Sequence, residues 1–170
     1  GHYTHIVDRI QNIVEVFKTG DDSFRHTYDL TSADGQGRGA GPCEKYSVSD
    51  DPGLPRNDPG PDLLDKTPDG KYLVIAFRGP APVTVAHAAQ ASCPGVGIVR
   101  LTNGGASGRL VTVLRATNTL DTAPVSAPGG YNYLGDERSD VHGAVVIYRA
   151  EPRYRHQRRK HHCRKPHGQR

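Results

Sequence analysis

Three carboxylates, Asp58, Asp62 and Asp65, crowd into one short stretch, and a second acid–imidazole pair, Asp140 and His142, stands before Gly143. Clustered carboxylates can hold Ca2+ through oxygen ligands. Here the spacing departs from the Asp-x-Asp-x-Asp-Gly loop, and Pro59 and Pro61 stiffen the segment, so turn formation and solubility explain these acids better. His142 can serve as a base or a metal ligand; the plainer reading is a histidine that opens a strand and hydrogen-bonds a neighbouring turn. His87, in Thr84-Val-Ala-His-Ala-Ala-Gln90, has small neighbours that permit close backbone approach, and it reads better as a loop histidine than as a ligand. His161-His-Cys163 with His167 has metal-binding side chains, but no second cysteine pair completes a zinc site. There is no Gly-x-Ser-x-Gly elbow for a serine nucleophile. The glycine-rich Gly35–Gly41 run lacks the Lys-Ser/Thr of a phosphate loop and reads as a flexible loop. No residue is assigned a catalytic role.

The elements that must position these groups are strands. Thr67-Pro-Asp-Gly70 is a turn: Pro68 fixes φ for the first central position, and Asp69-Gly70 accept the left-handed backbone that follows. Tyr72–Phe77 is an unbroken apolar run of strand length, which predicts cover on both faces. Gly79-Pro80 stops it. Ile98–Leu101 and Leu110–Leu114 flank the glycine-rich turn Asn103–Gly108, giving with Tyr72–Phe77 three strands of an antiparallel meander.

The amino-terminal part echoes the later hairpin. Asn12–Val16 aligns with Gly97–Leu101, and His26–Tyr28 with Val111–Val113, at one constant offset. Ile6, Ile10, Ile13, Val14 and Phe17 also fit helical spacing; the echo favours strands. Residues 33–61, crowded with Gly, Pro, Asp and Ser, read as a loop insertion between the repeats. Ser139–Tyr148 is a polar lead, a glycine and an apolar run, and predicts one further inner strand.

His142-Gly143, Thr67-Pro-Asp-Gly70, Leu73–Phe77 and Gly97–Leu114 together resemble the blades of secreted seven-bladed β-propellers of the YVTN-repeat and lactonase-like type. The resemblance runs from about Ile6 to Tyr148, with a gap over the insertion. It implies an all-β fold of antiparallel meander blades, incomplete and fragment-like, since blades repeat every ~40–50 residues. The expected organisation is a partial propeller domain over 1–150 and a disordered basic tail over 151–170. The absence of methionine suits a piece of a longer chain whose remaining blades lie elsewhere. The function implied is a binding scaffold, its unknown ligand at the channel mouth beside Asp58–Asp65 and Ser139–His142. The alternative is a lactonase-like hydrolase, in which a divalent metal held by carboxylates and histidine polarises a lactone carbonyl and activates water. No cofactor is expected for the scaffold.

Charge is uneven. The chain carries +4, but eight of its 22 basic residues lie after Pro152, leaving fourteen against eighteen acids in the body. That tail, with Arg153, Arg155, Arg158, Arg159, Lys160, Arg164 and Lys165, suits a polyanion such as RNA, DNA, a heparin-like glycan or acidic lipid heads; a plain solvated terminus is the alternative. Tyr154 is its only aromatic, so stacking on bases has little support. Cys43 and Cys93 fall in two loop-like regions, where a disulfide would staple the loops; two unrelated thiols are the other reading. A disulfide suits an extracellular or cell-envelope protein. No apolar stretch is long enough to span a membrane as a helix.

Overall fold

A computed structural model describes residues 1–31, 41–45, 57–79, 91–116 and 139–149. They form two antiparallel meanders. The first sheet is β1 (Tyr3–Asp8), β2 (Ile13–Lys18) and β3 (Phe24–Asp29), in that order. The second is β4 (Pro61–Lys66), β5 (Tyr72–Phe77), β6 (Gly95–Thr102) and β7 (Ser107–Arg115), also in chain order. One short helical turn, α1 (Pro42–Lys45), packs by β7. The chain is all-β, and the amino-terminal segment is a hairpin rather than a helix.

Turn chemistry explains the reversals. The Asp8 carboxylate accepts the amides of Ile10 and Gln11 at 2.8 and 2.9 Å, and Asn12 takes a left-handed φ of 59°, so the helical spacing of Ile6–Phe17 is broken at its middle. At the β4–β5 turn, Gly70 has φ of 70° and donates to the Thr67 carbonyl at 2.8 Å. The Asp69 carboxylate caps that turn, accepting from the Lys71 amide and the Thr67 hydroxyl.

The sheets pack face to face, β1 against β4 and β3 against β7. Strand alternation sets the faces: Val14 and Val16 of β2 point inward, as do Leu73, Ile75 and Phe77 of β5, and all are buried. Tyr28, Leu30, Val99, Leu110 and Val113 complete one shared core. The continuous run Tyr72–Phe77 predicted cover on both faces. One face is fully enclosed, while Tyr72 and Val74 on the other are half-buried. Gly97, paired with Ile75, lies under the Phe77 ring, and a Cβ there would collide with the ring carbons. A glycine inside a strand here marks that close approach.

The repeat seen in the sequence has a spatial counterpart. Hairpins β2–β3 and β6–β7 occupy equivalent places in their sheets, and their last strands touch. The loop insertion assigned to 33–61 holds α1 and runs into β4. Cys43 in α1 is joined by a disulfide to Cys93, before β6, with Cα atoms 5.6 Å apart and both residues in the core.

One expected strand is absent. Ser139–Tyr148 forms no strand, and Val145, Ile147 and Tyr148 are exposed. The segment follows the free edge of β4 in the same direction: the Leu63 amide donates to the His142 carbonyl at 3.4 Å, and the Val146 amide to the Asp65 carboxylate at 2.9 Å. A side-chain oxygen thus takes the amide that a ladder would direct to a backbone carbonyl. An apolar run is not a strand without a backbone partner.

Candidate functional site

Two of the sequence-selected acids, Asp62 and Asp140, meet at one end of the sheets, where β1 and β5 finish and β4 begins. Arg78 follows β5 directly, so the last strand register carries its guanidinium into the buried end of the core. Its side chain is only 3% exposed. It donates to Asp62 at 2.7 Å and to Asp140 at 2.6 Å. Arg9, from the β1–β2 turn, donates to the other oxygen of Asp62 at 2.5 Å. The Asp140 carboxylate also accepts the Gly79 amide at 3.1 Å. Two guanidiniums therefore balance two carboxylates, with Asp62 8% and Asp140 13% exposed.

The network joins four chain segments: the β1–β2 turn, β4, the end of β5 and the 139–149 segment. Burial makes each charge dependent on its partners, because an unpaired buried ion carries a penalty of several kcal/mol. Both guanidiniums keep a buried Nε without a hydrogen-bond partner among the described residues, so the pairing is strong but incomplete there.

His142 is the accessible member. Its side chain is 54% exposed, and Nε2 lies 3.6 Å from Asp62, beyond hydrogen-bond distance. As a base it would lean on a carboxylate already held by two cations. That arrangement leaves Asp62 little capacity to orient an imidazole or hold a metal.

The three clustered acids diverge. Asp58 accepts the Asn12 side-chain amide at 2.7 Å, and its backbone exchanges hydrogen bonds with Ser92. Asp62 faces the arginines. Asp65 accepts the amides of Val146 and Lys66. Among the described residues no group of three or more His, Cys, Asp or Glu side chains could hold a metal ion. His87 and the tail residues Arg153, Arg155, Arg158, Arg159, Lys160, Arg164 and Lys165 lie outside the described residues.

Sequence reasoning missed Arg78, Arg9 and Asn12. Asn12 is buried at a turn; its Oδ1 accepts the Gly60 amide at 2.8 Å while its Nδ2 reaches Asp58, tying the first sheet to the approach of β4. The available signal was Arg78 itself: a cation continuing an apolar run, immediately before the Gly-Pro stop, has to find buried acids.

Asp65 gives a pH-dependent tether. The Val146 amide, then that of Lys66, holds its carboxyl below the usual carboxylate value of 3.8. A carboxyl lowered on folding contributes its tether above the ordinary value, and the contribution is lost as pH falls through the folded one. The Val146 amide resonance should therefore shift with a midpoint below 3.8, and Asp65→Asn should abolish that step. A Val146 resonance that stays unmoved down to about pH 2 would refute the tether.

Comparison with protein-family models, with curated proteins and with solved structures returns no match.

Proposed function

We propose that this chain is a β-propeller-type binding scaffold in which the Arg78 network clasps successive inner elements. The carrying observation is the double use of Arg78, which binds Asp62 of β4 and Asp140 of the following segment. Three features support the blade reading. The two meanders stack in the same strand order, their equivalent hairpins occupy equivalent positions, and the 139–149 segment follows β4 in the same direction, as inner strands around an axis would. Leu114, Val145, Ile147 and Tyr148 are exposed apolar side chains that a further sheet of a longer chain would cover. The ligand would meet the mouth at His142, the exposed side chain of the cluster.

The buried Cys43–Cys93 disulfide favours an extracellular or envelope location. No helix among the described residues is long and apolar enough to cross a membrane. The lactonase-like alternative requires carboxylates free to hold a divalent ion, whereas Asp62 and Asp140 are engaged by guanidinium groups.

Elemental analysis of the purified chain, with thermal unfolding before and after chelator, tests the reading. A resident ion that binds only the native state raises the unfolding temperature, and chelation removes that gain. The scaffold reading expects divalent metal well below one equivalent and an unchanged midpoint. One equivalent of metal, with a midpoint that falls on chelation and lactone hydrolysis that falls with it, would replace it by the hydrolase.

A further inference from the structure

At the opposite end of the strands, Tyr3, His5, Lys66, Lys71, Asn103 and Gly104 line a cleft of about 430 Å3. That volume lies in the range of small-molecule sites, ~300–1,000 Å3. Its charge is unbalanced. Asp69 is the acid in the lining, and it is already engaged by the Thr67 hydroxyl, the Lys71 amide and, at 3.6 Å, the Lys71 ammonium. Lys66, at the end of β4, is half-buried and has no ion-pair partner among the described residues. Its charge reaches His5: burial first, and then Lys66, depress the imidazole below its ordinary value, against a raising hydrogen bond. That bond, from His5 Nε2–H to the Gly105 carbonyl at 2.9 Å, fixes the ring in the cleft wall. Tyr3 lies against Gly105 and adds an aromatic surface.

A partly buried lysine at a cleft wall, with no ion-pair partner among the described residues, offers an anion a charge-assisted hydrogen bond. We propose that this cleft is a binding site for a small organic oxyanion, with Lys66 as the principal charge partner and the Tyr3 ring as the apolar wall. A carboxylate and a phosphate monoester both supply the required oxygens, and the volume accommodates an attached ring. The site needs nothing from the Arg78 network, so it stands or falls separately from the scaffold reading.

The test is a titration of the full 15N-labelled chain, followed at the Gly104 and Gly105 amides, at constant ionic strength held with NaCl. Inorganic phosphate, phenyl phosphate and benzoate are the probes. Saturable shifts are expected, with phenyl phosphate stronger than inorganic phosphate if Tyr3 contributes; a response to benzoate alone would assign the oxyanion as carboxylate. Lys66→Gln should weaken binding about tenfold or more, the value of one charge-assisted hydrogen bond. Lys71→Gln, at an exposed and already paired cation, should weaken it less. Absence of saturation with all three probes, or a Lys66→Gln chain that titrates like the parent, would overturn the site.

Discussion

Replacing Arg78 with methionine is expected to lower the unfolding free energy by about 3–5 kcal/mol, the usual cost of removing one partner from a buried ion network. The guanidinium is almost fully enclosed and serves two carboxylates. Among the described residues, its loss leaves Asp140 with the Gly79 amide and leaves Asp62 with Arg9 and, at 3.6 Å, His142. The same change at Arg9, which is more exposed, should cost less, about 1 kcal/mol. Urea unfolding followed by tyrosine fluorescence measures both. The penalty should shrink when Asp62→Asn and Asp140→Asn accompany Arg78→Met, because the stranded charges are then removed. A loss below about 1 kcal/mol for Arg78→Met alone would show that the charges are solvated rather than interdependent.

The second large effect belongs to the disulfide. Cys43 and Cys93 are separated by 50 residues, and closing a loop of that length stabilises by about 4 kcal/mol in the chain-entropy account. The bond anchors α1 beside β7 and fixes the entry to β6, so its loss frees both. The Cys43→Ser, Cys93→Ser double variant should unfold at markedly lower urea than the parent, and reductant should lower the parent's midpoint in the same direction. Matching midpoints for parent and variant, with and without reductant, would contradict that role.

Where physical constraints are local, the residues announce the structure. Pro68-Asp69-Gly70 dictates its reversal through φ alone, and Leu73–Phe77 has enough apolar surface to be a strand in any all-β setting. The hairpin echo also survives folding, since β2–β3 and β6–β7 share a position in their sheets. β1 and β4 were illegible because their signals are mixed. Pro61-Asp-Leu-Leu-Asp-Lys66 carries two acids and a proline, and reads as loop until pairing with β5 accounts for its alternation. Ser139–Tyr148 failed in the opposite way: it has the side chains of a strand but not the backbone partner.

The site divides likewise. Asp62, Asp140 and His142 were visible as chemistry-bearing types, and the fold does bring them together. What residue types could not reveal was the neutralising partner. Arg78 supplies it from the end of an apolar strand, pairing with both Asp62 and Asp140. Lys66 shows the converse, since the packing of β1 against β4 places an ordinary strand-end lysine, unpaired among the described residues, in the wall of a cleft.

The most direct measurement is a double-mutant cycle on Arg78→Met and Asp140→Asn, read as unfolding free energy in urea. If the charged end of the sheets is a clasp, the two changes should couple by about 1 kcal/mol or more, the double variant losing less than the sum of the singles. Strictly additive losses would mean that Arg78 does not hold the 139–149 segment, and would contradict the clasp.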